Sequence, residues 1–413
     1  MICDERSVNK LATHNFPFRN FPIQPADVIH RLPQQFFATL TQKAREQVSL
    51  GHDVINLGQG NPDQPTPTHI VQALQEAAAD STYHGYSPFS GYRFLKEAIA
   101  HRYFEDYAVE LDPDTEVSIL FGAKTGLVEI SQCLLNPGDV CLVPDPGYPD
   151  YWSGIALAGG RMVHMPLLPE NRYLPVYADL QAEDVRQAKL MFLNYPNNPI
   201  GVTASASFYE ETIAFAAQHQ IVVASDFAYG TIGFDGLRPL SFLQIPGAKE
   251  VGVEFYTLSK SYNMAGWRVG FALGNREVIR LLNLLQDHYY CSLFGGIQVA
   301  AATALTSSQR CVHELTAMYE NRRNALFAAL SSIGWHAQPS EGSFFTWLPV
   351  PAGFTSQRFA DLLLHEAHVV VAPGIGFGAC GEGYVRIGLL ASEDRLREAV
   401  ARIGKLNLFP VPC

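Results

Sequence analysis

The chain has little charge. Of its 413 residues only 17% are Asp, Glu, Lys or Arg, and acids outnumber bases 40 to 29, for a formal net charge of −11. No clustered basic face is present to grip a nucleic-acid backbone, so a small acidic ligand has to be met by individual arginines. Cysteines are few and irregular. Cys3, Cys133, Cys141, Cys291, Cys311, Cys380 and Cys413 are odd in number and lack paired metal-ligand spacing. Neither a disulfide framework nor a metal site is therefore expected, and a reducing cytoplasm fits best. The first residues, Met-Ile-Cys-Asp-Glu-Arg, carry early acids and lead into no apolar core, unlike a secretory signal. The longest charge-free stretch, Tyr289 to Gln309, contains Ser292, Gly295-Gly296 and Gln298 and reads as a buried connector or helix rather than a bilayer span. Also missing are a Gly-x-Ser-x-Gly elbow and a Gly-x-x-x-x-Gly-Lys-Ser/Thr loop, which removes the main support for a serine hydrolase or a P-loop NTPase.

What is present is a large apolar content, 47%, enough for two or three domains with sizeable cores. From Val117 to Leu273 short apolar runs alternate with helical patterns: Val117 to Phe121, Val140 to Val143, Leu190 to Leu193, Ile221 to Ala224, Phe255 to Leu258 and Val269 to Leu273. Such runs predict buried strands of a mostly parallel sheet, with helices such as Leu127 to Leu135 and Phe208 to His219 between them. After Thr306 the pattern changes to a long amphipathic helix through Ser332, then fewer strands and helices, as in a smaller α+β domain. The expected division is 1–62 for an N-terminal arm and part of the small domain, 63–305 for the large domain and 306–413 for the rest of the small domain. The segment through Asn61 is expected to pack on the small domain.

Several polar residues fall at the expected strand ends, where open α/β sheets bind ligands. Lys260 closes an apolar stretch and Arg268 follows it. An amine withdrawn from water deprotonates readily and condenses with an aldehyde, while a nearby guanidinium holds a phosphate. Taken alone, Lys260 reads more simply as a solvated lysine. Gly122-Ala123-Lys124 links a strand to a helix and offers N–H groups to a phosphate, or is an ordinary tight turn. Asp226 can face a protonated pyridine nitrogen, or cap a turn. Tyr229 and Asn198 can bond a phenolate oxygen, or be a core aromatic and a turn former. Arg386, inside a strand-like alternation, needs an anion: a substrate carboxylate and a structural salt bridge stand side by side.

Two patterns imitate other sites. Gly376-x-Gly378-x-x-Gly381 matches a dinucleotide loop but runs into a strand, not a helix. His365-Glu-Ala-His368 has the wrong spacing for a zinc helix, lacks a third ligand and reads as helix surface.

Together with Asn56-Leu-Gly-Gln-Gly60-Asn-Pro-Asp63, Tyr86-Ser-Pro-Phe-Ser-Gly91, Asp145-Pro-Gly-Tyr148-Pro and Asn194-Tyr-Pro-Asn-Asn198-Pro, these motifs occur in order over Leu32 to Phe409, and the chain resembles the class I/II aminotransferases dependent on pyridoxal 5'-phosphate (PLP). The resemblance implies the fold type I α/β architecture, a mostly parallel seven-stranded sheet flanked by helices plus a smaller α+β domain. It implies Lys260 as the Schiff-base lysine and acid/base, Asp226 on the pyridine nitrogen, Asn198 and Tyr229 on the ring oxygen and Tyr148 on the ring face. Gly122, Ala123, Lys124, Thr257 and Arg268 are implied for the phosphate, and Gly60, Asn198 and Arg386 for the substrate carboxylate. Tyr86 is implied to reach the partner's phosphate in a homodimer with shared active sites; no metal is implied. One departure is Ile200, where the family has threonine, which is expected to weaken a turn hydrogen bond.

The implied reaction is ping-pong transfer of an amino group from an L-amino acid to a 2-oxo acid. Longer matching stretches are most similar to methionine-salvage members, which form methionine from 4-methylthio-2-oxobutanoate. Aspartate, alanine or diaminopimelate types, a PLP-dependent C–S lyase and a non-catalytic PLP-binding regulator are the alternatives.

Overall fold

The computed structural model describes residues 23–33 and 36–409; Cys3, Cys413 and the first residues, read as unlike a secretory signal, lie outside them. Its strands are, in chain order, β1 (Ile55–Asn56), β2 (Val117–Leu120), β3 (Val140–Asp145), β4 (Arg161–Pro166), β5 (Ala188–Asn194), β6 (Val222–Asp226), β7 (Gly252–Thr257), β8 (Gly270–Gly274), β9 (Phe345–Pro349), β10 (Val369–Val370), β11 (Ala372–Pro373) and β12 (Tyr384–Gly388).

Seven of them form one sheet in the order β2-β8-β7-β6-β5-β3-β4. Only β8 runs against its neighbours. The central runs are apolar without alternation because both faces are covered. Leu190 and Phe192 enter one core cluster, while Met191 and Leu193 enter another on the opposite face. The sequence runs located six of these strands. The seventh, β4, is an edge strand in which only Met165 is buried, so it lacks an apolar signature. The helix read as starting at Leu127 begins at Ala123, where the glycine-bounded turn ends.

The stretch Tyr289 to Gln309 holds a helix, Gly295–Thr306, with Ala300, Ala301, Ala304 and Leu305 buried. Among the described residues no helix is long and apolar enough to cross a membrane. A second apolar cluster gathers the helices Arg310–Ser332 and Glu393–Gly404 around the antiparallel sheet β11-β12-β9. In β1, Ile55 pairs with Val369 of β10. The N-terminal helix Phe36–Ser49 also packs on this side, as expected, but Asp27–His30 lies against the helix Asp150–Ala158 of the large sheet. There Arg31 reaches over Gly159, which has no side chain to block it.

The imitating glycines form two 3₁₀ turns, Gly374–Phe377 and Ala379–Gly381, that lead into β12. His365 is exposed on a π-helical turn, whereas His368 is half-buried, caps that turn with φ +54° and stacks on His52. Ile200 sits in a small cluster with Leu167, Trp347 and Phe377. The turn it departs from is closed instead by its own N–H, which donates to Asn197 Oδ1 at 3.0 Å.

Candidate active site

The carboxyl ends of β3, β5, β6 and β7 share one edge of the sheet, and there a cavity of about 450 Å³ opens. Gly60, Ala123, Lys124, Tyr148, Asn198, Asp226, Tyr229, Thr257, Lys260, Arg268 and Arg386 all line it. Gly122 lies directly behind, with φ +80°, and a Cβ there would sit 2.4 Å from the Arg268 guanidinium. Tyr86 is not part of this cavity; it is 93% exposed.

Lys260 stands in the short helix Leu258–Ser261, capped by Thr257, whose hydroxyl accepts the Ser259 N–H. Its Nζ donates to the Gly60 carbonyl at 2.9 Å. Burial, reinforced by Arg386 and Arg268, lowers its amine to about 8, against the opposing pull of Asp226. A larger share of the amine than in an ordinary lysine is thus neutral and nucleophilic near physiological pH, although the protonated form still predominates there.

Asp226 ends β6, buried, with no cationic hydrogen-bond partner among the described residues. Its Oδ2 accepts from Tyr151 Oη at 2.7 Å and its Oδ1 from the Ala228 N–H at 3.3 Å. Burial pushes its carboxyl up to about 6, held back by those bonds and by the charge of Lys260. A cation arriving beside it would complete a buried pair.

On the opposite side Arg386 is 1% exposed in β12. Its Nη1 donates to Asn198 Oδ1 at 2.9 Å and its Nη2 to the Gly58 carbonyl at 2.8 Å, while Nε has no partner. The guanidinium lies 3.8 Å from the Phe345 ring centroid and 5.1 Å from that of Phe37. Among the described residues no carboxylate pairs with it, so the structural salt bridge is not made. Burial lowers its guanidinium to about 9, and an incoming carboxylate would relieve that desolvation. Tyr229, packed edge-on against Phe344 and Phe345, has its hydroxyl raised by burial and drawn back by Arg386.

The fourth wall is an anion cradle. The helix Ala123–Leu134 begins at Gly122 with no acidic residue in its first turn, so its N–H groups and dipole face the cavity uncompensated. Arg268, also at positive φ, is anchored by Nη1 to the Ala265 carbonyl at 2.9 Å and makes no ion pair among the described residues. Lys124 differs from the expectation for its ammonium, which is committed to Asp150 at 2.9 Å; what it offers the cradle is its backbone N–H. Thr257 Oγ1 lies 2.9 Å from Ser259 Oγ.

Sequence reasoning missed Tyr151, Ser259, Phe37 and Phe345. The first two lie within or next to motifs already noticed, whereas the phenylalanines come from segments with no spacing relation to the site.

A phosphorylated aldehyde bearing a basic ring nitrogen fits these residues: the cradle meets the phosphate, Lys260 the aldehyde and Asp226 the nitrogen. On this sheet, that chemistry is the province of the fold type I PLP-dependent enzymes. Residues 52–403 match the aminotransferases of class I and II, and the chain belongs to that family; it is a PLP-dependent aminotransferase. It is 59% identical over 386 residues, 94% of this chain and 97% of the relative, to L-glutamine–4-(methylsulfanyl)-2-oxobutanoate aminotransferase of Bacillus subtilis. Over 382 residues, 92% of this chain and 98% of the relative, it is 45% identical to LL-diaminopimelate aminotransferase of Syntrophobacter fumaroxidans. Among solved structures, apo-BacF from Bacillus subtilis superposes with a TM-score of 0.91 at 48% identity, covering 95% of this chain and all of that one.

Proposed function

We propose that this aminotransferase forms methionine from 4-methylthio-2-oxobutanoate, with glutamine as amino donor. The carrying observation is the 59% identity to an enzyme named for that reaction. The cavity supports it. Phe37 and Phe345 wall the space beside Arg386, and the other cations lining it are Lys124, Lys260 and Arg268. With Lys124 committed to Asp150 and Arg268 to the phosphate cradle, no second receptor remains for a distal carboxylate. A thioether suits phenyl walls; a charged diaminopimelate chain does not. The test is product analysis with purified, PLP-loaded enzyme. Methionine from glutamine and 4-methylthio-2-oxobutanoate is expected, and a clear preference for LL-diaminopimelate with 2-oxoglutarate overturns the assignment.

In this reading bound PLP supplies a carbonyl and an electron-withdrawing ring that stabilises charge developing at the substrate Cα. Lys260 would take the proton from the substrate Cα and deliver it to the carbon that had carried the aldehyde. Asp226 keeps the ring nitrogen protonated, while the Asn198 amide and the Tyr229 hydroxyl donate to the ring oxygen and Tyr148 covers the ring face. Gly122, Ala123 and Lys124, through N–H groups, join Thr257 and Arg268 on the phosphate. Arg386, steadied by Asn198, binds the substrate carboxylate together with Gly60.

A homodimer belongs to the same proposal, with Tyr86 reaching the phosphate site of the partner subunit. Its exposure is shared by Phe89 at 55% and Phe294 at 39%, and Ser87 Oγ ties the two segments by donating to the Leu293 carbonyl at 2.7 Å. An apolar patch of this kind calls for a partner; a monomer in light scattering would refute it. The division at residues 62/63 and 305/306, and a cytoplasmic location suited to the free thiols of Cys133, Cys141, Cys291, Cys311 and Cys380, complete the proposal. Limited proteolysis and cell fractionation test them.

A further inference from the structure

We infer that the ion pair Asp63–Arg322 is a positioning device for the carboxylate pocket, holding the turn that carries Gly60 against the strand that carries Arg386. This rests on the reading that Gly60 and Arg386 receive the substrate carboxylate. Arg322 lies within the helix Arg310–Ser332 and is 5% exposed. Its two terminal nitrogens donate to the two oxygens of Asp63, each at 2.8 Å, and Nη1 also donates to the Leu389 carbonyl at 3.0 Å. One guanidinium therefore grips the residue just beyond β12 and the far end of the Gly58–Asp63 turn at once.

The near end of that turn is tied to the same strand. The Gly388 N–H donates to the Leu57 carbonyl at 2.7 Å, and Arg386 itself reaches the Gly58 carbonyl. Between these ties and Asp63 the chain has no helix or strand, yet it supplies Gly60 and Asn61 to the cavity wall and the carbonyl that accepts from Lys260. Burial opposes the ionised form of Asp63, but the hydrogen bonds and charge of Arg322 outweigh it and hold the carboxyl below its ordinary range. The clamp is therefore charged at neutral pH. A planar fork bound on both prongs fixes direction as well as distance, which is what a turn without secondary structure needs.

The next residue provides an internal control. Arg323 is equally buried and also bidentate, donating to Asp235 at 2.7 Å on both prongs, although the Asp235 side chain is 70% exposed against 23% for Asp63. Successive helical positions point about 100° apart, so Arg323 ties down a loop that does not line the cavity. If such pairs only hold the small domain together, the two behave alike.

The test compares Asp63→Asn with Asp235→Asn. The readouts are KM and kcat for methionine, the melting temperature and, without turnover, the calorimetric Kd of 4-methylpentanoate, an unreactive monocarboxylate, on PLP-loaded enzyme. Asp63→Asn is expected to weaken Kd and raise KM at least about tenfold, the scale of a small misplacement at a binding site. Asp235→Asn is expected to lower the melting temperature while leaving both constants within about twofold. Arg322→Lys, which keeps the charge but loses the fork, gives an intermediate effect and serves where Asp63→Asn does not fold. A change in melting temperature alone for Asp63→Asn, or equal changes in Kd for the two variants, overturns the clamp. Arg386→Lys separates the two levels. Unchanged Kd there overturns the carboxylate reading beneath the proposal, whereas a weakened Kd there with normal binding by Asp63→Asn overturns the clamp alone.

Discussion

Replacing Tyr151 with phenylalanine takes one hydroxyl from beneath the site and leaves its packing in place. The ring is fully buried and stacks on Phe192 at 4.5 Å with the planes 6° apart, so the phenyl group stays where it is. What is lost is the 2.7 Å hydrogen bond to Asp226 Oδ2. A hydrogen bond to a charged group contributes about 1.5–3 kcal/mol, and 1.36 kcal/mol corresponds to roughly one pH unit. The Asp226 carboxyl, already pushed up to about 6 by burial, should therefore rise by a further one to two pH units, roughly. The sign follows from the state that binds. Under the proposed role, ionised Asp226 would pair with the protonated ring nitrogen, so affinity for PLP should be present above the pKa of the empty site and be lost as pH falls through it. Titrating the cofactor-free chain with PLP across weakly acidic to weakly basic pH should show an acid break near 6 in the wild type, displaced upward in Tyr151→Phe. The second ionisation of the cofactor phosphate falls in the same region, at about 6, but is common to both proteins and cancels in the comparison. An acid break that stays in place, with both proteins folded, refutes the role given to Asp226 and the pathway through Tyr151.

Lys260→Ala should reduce methionine formation at least about 10²–10⁴-fold without changing the melting temperature appreciably; a variant with wild-type transamination contradicts the assignment. Burial and the neighbouring arginines lower the Lys260 amine to about 8. Capture of added PLP by the empty chain, followed by stopped-flow absorbance, should accelerate as pH rises through that value, and a pH-independent rate argues against the neutral amine. Gly122→Ala would place a methyl group 2.4 Å from Arg268 Nη2 at a backbone φ of +80°, so PLP affinity, read by dialysis, should fall; unaltered affinity removes Gly122 from the cradle. Leu326→Ala, fully buried in the small-domain core, should cost about 2–5 kcal/mol of stability, seen as a lower melting temperature in calorimetry.

The strands were legible where local chemistry forces them. Leu190 to Leu193 are apolar on both faces because helices cover both sides of the sheet, and that pattern is read without knowing the fold. β4 was illegible because an edge strand with one buried methionine carries no such pattern. The contact of Asp27–His30 with the helix Asp150–Ala158 was not legible, because nothing local says which body a short helix leans on.

The site divides in the same way. Lys260, Asp226, Asn198 and Arg386 were each ambiguous alone and stood out in combination, as polar groups at the expected strand ends that fall within motifs resembling those of the aminotransferases. What meets each of them is a different matter. Arg386 finds Asn198 and Gly58 at separations of 188 and 328 residues, and Asp226 finds Tyr151 across 75. The Lys124 ammonium is neutralised by Asp150. The amino-acid sequence alone thus determined six of the seven strands, the order of the motifs and the residue types that chemistry requires, since these follow from short-range periodicity and spacing. Only the tertiary structure decided which charges are neutralised within the chain and which stay open for a ligand, because desolvation and pairing act through space between groups that the chain itself holds far apart.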